Sequence, residues 1–218
     1  MRRIALFFWM LSFLFLSSTK RNDASDLYAN DGKGWYSLFN GKNLNDWKFS
    51  DKEGTFSVKD SMIKVNGYRS HLYYAGSVLN HDFKNFELKA DIMTKPGSNS
   101  GIYFHTEYQP EGWPEKGYEV QVNNSHSDWR RTGGLYGVYD LREVPVKDND
   151  WFNMHIIVKG KHIQVKLNGE IMVDYTEPEN PNYEGMPGRK ISHGTFCLQG
   201  HDPNSTVFFK NIRVKPLS

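Results

Sequence analysis

Strict alternation between apolar and other residues is the feature that most constrains the fold of this chain. In the segment 86–94 every second residue is apolar, namely Phe86, Leu88, Ala90 and Ile92. A period of two puts alternate side chains on opposite faces of a β-strand, so one face packs on a core and the other meets solvent. Similar short segments recur from residue 35 to residue 214, and no ten-residue segment in that range shows a convincing helical period. We therefore predict an all-β domain of about a dozen strands, arranged as a β-sandwich or jelly roll.

Two dipeptides mark the turns between neighbouring strands most clearly. Asn168-Gly169 separates the alternating runs 163–167 and 171–175, and Asp60-Ser61 separates two shorter runs. Asn and Gly both accept the positive φ that a two-residue type I′ turn requires. The sequence therefore predicts a β-hairpin at each of these places.

The length, the charge and the cysteine content limit the possible functions. The chain of 218 residues has room for one sizeable domain, which we place at 35–218. Its 27 basic and 25 acidic residues give a formal net charge of +2 and are dispersed along the chain. A nucleic-acid-binding surface needs concentrated basic residues, so we expect no nucleic acid as the partner. Cys197 is the only cysteine, so no intramolecular disulfide can form.

Residues 1–18 have the pattern of a secretory signal peptide. Arg2-Arg3 precede an apolar run over 4–16, and Ser17-Ser18 follow it. We expect cleavage after this segment, a flexible polar leader over 19–34, and an exported protein with no stable membrane insertion. The apolar run is short for a bilayer span, although a retained anchor is the alternative.

Hydrogen-bonding and aromatic side chains concentrate between residues 99 and 139. Alternation puts Tyr103 and His105 on one face of a strand, and it puts Glu119 and Gln121 on one face of the next strand. We expect these faces to form a polar wall over the packed core, with Glu119 as its single carboxylate. Aromatic side chains between them suit stacking on a sugar ring. The plainer alternative is that these polar residues only face water.

Further candidates surround this polar wall. The loop 177–189, which contains three prolines, could close over the site. Arg131 could clamp a substrate or could be one member of a solvated pair of arginines. The pair His201-Asp202 follows a predicted strand that carries Gln199. The substrate-binding candidates are Tyr103, Trp113, Gln121, Arg131, Tyr136, Gln199, His201 and Asp202.

Eight short motifs occur in an order that resembles one known family. They are Gly34-Trp35 with 37–42, 86–88, 99–102, 117–121, 132–137, 167–169, 198–201 and 209–213. Their order resembles the 3-keto-disaccharide hydrolase domain family, formerly a domain of unknown function, over essentially the whole chain after the signal. The resemblance implies a concanavalin A-like jelly roll of two antiparallel sheets. His105 departs from the family pattern, in which we expect arginine more often at that place.

The resemblance also implies an activity and a location. Family members are secreted bacterial proteins that act on glycosides whose glucose unit a separate sugar 3-dehydrogenase has first oxidised to a 3-keto sugar. The implied partner is therefore an oxidised carbohydrate substrate, cleaved by hydrolysis or by β-elimination. The implied location is the periplasm or the outside of the cell.

The residues themselves can be weighed against that chemistry. Jelly-roll glucanases use two carboxylates as acid and nucleophile, but the strand that carries Glu119 has no second one. A 3-ketone makes the C2 proton acidic, so one base, one proton donor and an enolate stabiliser suffice for β-elimination. Glu119 or His105 could be that base. The alternative function is a non-catalytic carbohydrate-binding module on the same fold.

No cofactor is required by this chemistry, although a divalent cation could polarise the ketone. The sequence contains no compact ligand spacing such as H-x-H or H-E-x-x-H. The alternative is therefore that the histidines hydrogen-bond to sugar or backbone. The possible metal ligands are His105, His126, His193, His201, Glu119 and Asp202.

Overall fold

The computed structural model describes residues 32–51 and 53–218, and these form two antiparallel β-sheets packed face to face. Their strands are β1 (Tyr36–Ser37), β2 (Trp47–Phe49), β3 (Phe56–Lys59), β4 (Met62–Val65), β5 (Ser70–Tyr74), β6 (Phe86–Thr94), β7 (Ser100–Thr106), β8 (Tyr118–Val122), β9 (Phe152–Lys159), β10 (His162–Leu167), β11 (Glu170–Thr176), β12 (Thr195–Gly200) and β13 (Val207–Pro216). Across these residues the helical content is a single 3₁₀ turn at Val78–His81.

The two sheets differ in size. The larger sheet has eight strands in the order β11-β10-β9-β6-β13-β4-β3, with β1 paired to β13. The smaller sheet has five strands in the order β2-β5-β12-β7-β8. All-β architecture with two antiparallel sheets confirms the prediction of a concanavalin A-like jelly-roll sandwich.

The hydrophobic core lies between the sheets and is built by the alternating residues. Phe86 and Leu88 of β6 are buried from one side, and Ile102 and Phe104 of β7 are buried from the other. The rings of Phe86 and Phe104 meet edge to face, with centroids 5.7 Å apart. Complete burial of one such side chain stabilises the fold by about 1.5–3 kcal/mol, so the core holds the two sheets together.

The turn predictions are confirmed by the backbone. Asn168 has φ 49° and Gly169 has φ 90° between β10 and β11, as a type I′ hairpin turn requires. Asp60 and Ser61 have φ 50° and 58° between β3 and β4. Asn211, with φ 51°, sits in a register shift of β13, which explains the irregular apolar pattern of that strand.

The five-stranded sheet is buried on both faces, which alternation alone does not predict. Every residue of β5, β7, β8 and β12 is buried. Its inner face packs on the core, and loop residues from 113–116 and 185–189, with Asp128 and Tyr136, stand around a cavity over its outer face. This covered outer face is where the polar wall lies.

The predicted signal over 1–18 and most of the leader fall outside the described residues. Within the described residues, no helix is long and apolar enough to cross a membrane.

Candidate functional site

A row of cross-strand neighbours crosses the outer face of the five-stranded sheet. Tyr73 of β5 pairs with Cys197 of β12, Cys197 pairs with Tyr103 of β7, and Tyr103 pairs with Glu119 of β8. Directly opposite residues in antiparallel strands put their side chains on the same face. Tyr73, Tyr103 and Cys197 form a small buried cluster separate from the main core. The sheet therefore presents Glu119 at one end of an ordered, mostly aromatic floor.

A cavity of about 760 Å³ opens above this end of the row. Its floor comes from β7, β8 and β12, and its walls come from the surrounding loops. A volume of this size accommodates a small ligand such as one or two sugar rings. The lining residues include Asn99, Tyr103, Trp113, Glu119, Gln121, Tyr136, Arg189, Gln199 and His201.

Glu119 is 4% exposed and is held by several donors. The Tyr103 hydroxyl donates to Glu119 Oε2 at 2.7 Å, and Gln199 Nε2 donates to Glu119 Oε1 at 2.7 Å. The Arg189 guanidinium lies 4.0 Å from Oε2. A carboxylate with donors on both oxygens is fixed in one orientation.

Gly101 makes the room that this carboxylate occupies. A Cβ built on Gly101 would lie 2.6 Å from Glu119 Oε1. Gly101 pairs with Gln121, which lies two residues from Glu119 on the same face of β8. The glycine is therefore required by close approach of a side chain and not by backbone conformation.

Burial and neighbouring groups act on the pKa of Glu119 in opposite directions. Burial raises the pKa of Glu119 above its usual value of 4.5, and the Arg189 charge together with the Tyr103 and Gln199 hydrogen bonds opposes that rise. Burial also raises the pKa of Tyr103 well above 10.0, so this phenol remains a donor. A buried carboxyl group with a raised pKa in a cavity is typical of a proton-transfer residue.

Several polar atoms around the cavity have no partner within the described residues. Gln121 Nε2 donates to Asn99 Oδ1 at 3.0 Å, but Gln121 Oε1 accepts nothing. Gln199 Oε1 and Arg189 Nε are also buried and unpaired. Unpaired buried polar groups are costly, so such a site suits a ligand with many hydroxyl groups that can satisfy them.

His201 and Asp202 form an oriented pair at the edge of the cavity. His201 Nδ1 lies 2.9 Å from Asp202 Oδ2, and the ring of His201 lies 5.6 Å from that of Trp113. Burial acts to raise the pKa of Asp202, but hydrogen bonds from Ser205 and His201 outweigh it and lower the pKa. With Nδ1 on the carboxylate, His201 Nε2 is the ring nitrogen left for a ligand.

One group of described residues has the composition of a metal site. The ligand atoms of His126, His201 and Asp202 lie within 4.8 Å of one another. These atoms are already engaged in part, because His126 Nδ1 accepts from the Asp128 amide at 3.0 Å and Asp202 Oδ2 accepts from Ser205 at 2.6 Å. The arrangement fits a hydrogen-bonded His–Asp pair at least as well as a cation.

A family model described as the 3-keto-alpha-glucoside-1,2-lyase-like domain matches residues 34–215. The chain belongs to this family. The resemblance inferred from the eight sequence motifs is thereby confirmed. A 3-keto-disaccharide hydrolase of Bacteroides thetaiotaomicron is 24% identical over an alignment 231 positions long, which covers 86% of this chain and 80% of that protein.

Solved structures agree with the family assignment. A Parabacteroides distasonis protein, provisionally named a glycosyl hydrolase, is 26% identical to this chain with a TM-score of 0.73. The match covers 86% of this chain and 95% of that protein. A carbohydrate-binding module of Bacillus subtilis is 15% identical with a TM-score of 0.57, and the match covers 79% of this chain and 97% of the module, so this likeness shows the fold alone. The family and its named relatives support a glycoside hydrolase-like function for this chain.

Most of the predicted site residues of this family member meet in one cavity. Glu119, Tyr103, Gln121, Tyr136, Gln199, His201 and Trp113 all line it, and Asp202 contacts it through His201. Glu119 is the one carboxylate on β7 and β8, the strands of the predicted polar wall. Two further carboxylates, Asp128 and Glu115, line the cavity from loops, where Asp128 pairs with Arg130 and Glu115 is exposed.

His105 does not lie with Glu119. Its backbone has φ 55°, which breaks the alternation of β7 and turns the ring onto Phe86. The ring lines a different cavity, where Nε2 lies 2.9 Å from the Lys84 carbonyl and Nδ1 accepts from the Ser192 amide at 3.2 Å. Burial lowers the pKa of His105 to about 4. Both nitrogens are occupied, so the geometry does not favour His105 as the base.

Arg131 also lies outside the lining of the Glu119 cavity. Its guanidinium donates to Asn123 Oδ1 at 3.1 Å, to the His126 carbonyl at 3.0 Å and to the Asp128 carbonyl. Those contacts hold the loop 123–131 in a closed turn. Arg131 therefore supports the wall of the cavity. The sequence suggested either a substrate clamp or a solvated charge, and in the structure its guanidinium instead bonds within its own loop.

Arg189 is the site residue that the sequence interpretation missed. It belongs to the proline-containing loop predicted to close over the site, and residues 185–189 of that loop do line the cavity. The loop is anchored by Glu177, which accepts from the Tyr118 hydroxyl at 2.5 Å and from the Ile191 amide at 2.6 Å. The sequence did contain one indication of this role, because Arg189 is a charged residue at the end of the loop predicted to close over the site.

Proposed function

We propose that this protein cleaves glycosides whose glucose unit carries a ketone at C3, with Glu119 as the base that removes the C2 proton. The supporting observation is a buried, oriented carboxyl group of raised pKa in a cavity whose amide oxygens lack partners. A base whose pKa moves toward neutrality is better matched to proton transfer than an exposed glutamate.

The reaction needs three roles that neighbouring side chains can fill. Glu119 takes the C2 proton, and the electron pair moves onto the C3 oxygen as an enolate. The Arg189 guanidinium, with Nε unpaired, is suited to stabilise that negative charge. Collapse of the enolate forms the C1=C2 double bond and breaks the C1–O bond, while a protonated His201 gives its Nε2 proton to the leaving oxygen.

Asp202 supports the third role. Its carboxylate accepts from His201 Nδ1 and stabilises the imidazolium form before the proton leaves. The products of this elimination are an unsaturated 3-keto sugar and a free alcohol. Addition of water to the double bond would give the hydrolysis product, so one site accommodates both outcomes.

The proposed reaction requires a second enzyme to make the substrate, and we place it outside the cytoplasm. Because the ketone must be present before the C2 proton is acidic, a sugar 3-dehydrogenase has to supply the substrate. The signal-like residues 1–18 support export to the periplasm or the cell exterior. No cofactor is needed for the elimination itself, and a divalent cation on His126, His201 and Asp202 is an addition that metal titration would reveal.

The decisive experiment is incubation with a plain disaccharide and its 3-keto counterpart side by side. We expect only the keto form to be consumed, with a transient ultraviolet absorption from the conjugated enone. Equal turnover of both would contradict the proposal and favour a glycosidase that uses Asp128 or Glu115 as a second carboxylate. Saturable binding of both sugars without any turnover would favour a carbohydrate-binding module.

A further inference from the structure

Among the described residues three tryptophans are exposed, and they differ in what lies over the ring. Trp129 and Trp151 each have a cation close to the ring, 4.4 and 3.8 Å from the two centroids. Trp113 is the most exposed, at 43%, and the Arg69 guanidinium lies 5.7 Å from its centroid, close to the limit for a cation–π contact. Of the three, Trp113 lines the Glu119 cavity. It therefore presents apolar surface to the site.

The loop that carries Trp113 is fixed by hydrogen bonds. Gln109 Nε2 donates to the Trp113 carbonyl at 2.9 Å, and Gln109 Oε1 accepts from the Glu115 amide at 3.1 Å. Asp51 Oδ1 accepts from the Gly112 amide at 3.2 Å, which ties the loop to the chain that follows β2. A surface that is positioned before a ligand arrives loses little conformational entropy on binding, so this loop is suited to hold a ligand.

Two aromatic rings lie beside His201, the residue that protonates the leaving oxygen in the proposed reaction. The Trp113 ring centroid is 5.6 Å from that of His201, and the His126 ring centroid is 5.5 Å from it. Trp113 lines the cavity, whereas His126 lies outside its lining. A leaving group whose oxygen meets His201 Nε2 inside the cavity is therefore brought against Trp113.

The polar groups that contact the Trp113 ring have partners or lie outside the cavity. Arg69 pairs with Asp51 at 3.2 Å, and His201 Nδ1 lies 2.9 Å from a carboxylate oxygen. His71, whose ring centroid is 5.4 Å from that of Trp113, is fully buried and outside the cavity lining. The other end of the cavity differs, because two amide oxygens there are buried and unpaired. The Trp113 end therefore suits a flat apolar group, and the other end suits a group with many hydroxyls.

We propose that Trp113 forms the subsite for the leaving group and selects an aromatic leaving group, such as a phenol or a benzyl alcohol, over a second sugar. This inference rests on the proposed function, which puts the leaving oxygen at His201. Stacking of an aromatic ring on the exposed indole removes apolar surface of both from water, and the ring pair adds to that burial. A sugar would bring hydroxyl groups to a place where the polar neighbours already have partners, so those hydroxyls would lose hydrogen bonds to water.

The test compares three substrates that carry the same 3-keto-glucosyl group. Their leaving groups are benzyl alcohol, methanol and the 6-hydroxyl group of glucose, which are simple alcohols of similar acidity, so the comparison reports binding and not leaving ability. We expect kcat/KM for the benzyl compound to be about tenfold higher than for either of the others, because one ring face is buried on the indole. An equal value for the methyl compound, or an equal or higher value for the disaccharide, would overturn the inference.

Variants assign the preference to Trp113. Trp113→Ala should bring the benzyl-to-methyl ratio of kcat/KM close to one, whereas Trp113→Phe keeps an aromatic face and should retain most of the ratio. Trp151→Ala is the matched control, because it removes a similarly exposed tryptophan beside the eight-stranded sheet and should leave the ratio unchanged. A ratio of two substrates is also independent of the amount of active protein, so partial unfolding of a variant does not change it. A ratio that stays high in Trp113→Ala, or that falls equally in Trp151→Ala, would contradict the assignment.

A binding measurement separates this inference from the proposed reaction. In Glu119→Gln, benzyl 3-keto-glucoside should shift the NMR signal of the Trp113 indole N–H, which Trp113→Phe identifies by its loss, and should bind about tenfold more tightly than the methyl compound. That result, without turnover of any 3-keto substrate by the unaltered protein, would support the subsite and reject the reaction. Turnover of 3-keto substrates, with equal binding of the two compounds and no shift of this signal, would support the reaction and reject the subsite.

Discussion

The two sheets carry the same kind of alternation, yet their outer faces differ. In β6 of the eight-stranded sheet, buried residues alternate with half-buried ones, so Lys89 and Asp91 meet solvent. In β7 and β8 of the five-stranded sheet every residue is buried, including Tyr103, Glu119 and Gln121. The difference comes from the loops that cover only the smaller sheet. Covering a polar face removes water from its groups, which shifts their pKa values and makes unpaired atoms costly.

The largest expected effect tests whether covering turns a glutamate into a chemical group. Glu119→Gln keeps the size of the side chain but removes its ability to take a proton. We expect turnover of a 3-keto disaccharide to fall by roughly two to four orders of magnitude with the fold intact. Glu87→Gln on the outer face of the eight-stranded sheet, where Glu87 meets His155 at 2.9 Å, is the control.

Two results would break this contrast between the sheets. A wild-type rate in Glu119→Gln would show that Glu119 is not the base and would assign that role to His201.

Val120, fully buried and facing the core, provides a register control. Val120→Ala should cost about 1 kcal/mol or more of unfolding free energy and leave turnover of the folded protein nearly unchanged. Lost turnover in folded Val120→Ala would show that the polar wall is assigned to the wrong face.

A change in the eight-stranded sheet should affect stability and spare chemistry. Asn168→Pro cannot adopt the φ of 49° and removes the amide that donates to the Asn153 carbonyl at 2.9 Å. We expect a loss of about 3 kcal/mol or more in unfolding free energy, measured by denaturant titration. Asn168→Gly, which tolerates positive φ, is the control and should change stability far less. An unaltered denaturation midpoint in Asn168→Pro would contradict the hairpin assignment.

A smaller effect tests the space reserved for the carboxylate. Gly101→Ala places a methyl group against Glu119 Oε1, so we expect a loss of about 1–3 kcal/mol and a lower rate. The destabilisation should shrink in a Glu119→Ala background, because the clashing atoms are gone. Equal destabilisation in both backgrounds, measured as a double-mutant cycle, would show that Gly101 and Glu119 do not interact.

The smallest expected effect is the pH dependence of Glu119. Its folded-state pKa lies above the usual 4.5, so the folded protein binds this proton more tightly than the unfolded chain does. Its contribution to stability therefore falls as pH rises from 4.5 through the folded-state pKa, and is restored as pH falls below 4.5. Glu119→Gln should be more stable than the wild type at neutral pH, with a smaller difference near pH 4.

The reaction rate should depend on the same ionisation, but it needs the deprotonated form of Glu119, whereas stability is higher with the protonated form. Only the deprotonated carboxylate can act as a base, so the acidic limb of kcat/KM should have its midpoint above 4.5. An acidic midpoint below 4.5, or a stability difference that grows as pH falls, would show that Glu119 is not desolvated as the covered sheet implies.

Much of the fold follows from local sequence, and part of the site does too. Alternation located β6 at its observed bounds, and Asn168-Gly169 located its hairpin, because both are properties of a few consecutive residues. Glu119 and Gln121 were placed together for the same reason. His105 was misplaced because a positive φ at a single residue reverses the face of a side chain without changing the apolar pattern.

What the sequence by itself determined is the set of strands, their turns and the polar face that carries Glu119, since each depends on neighbours within one or two residues. The tertiary structure alone decided that this face is covered while that of β6 is open. It also brought Arg189 to within 4.0 Å of Glu119 from 70 positions further along the chain. The physical reason is that desolvation and charge pairing depend on which distant loop packs over a face, and no local period encodes that distance.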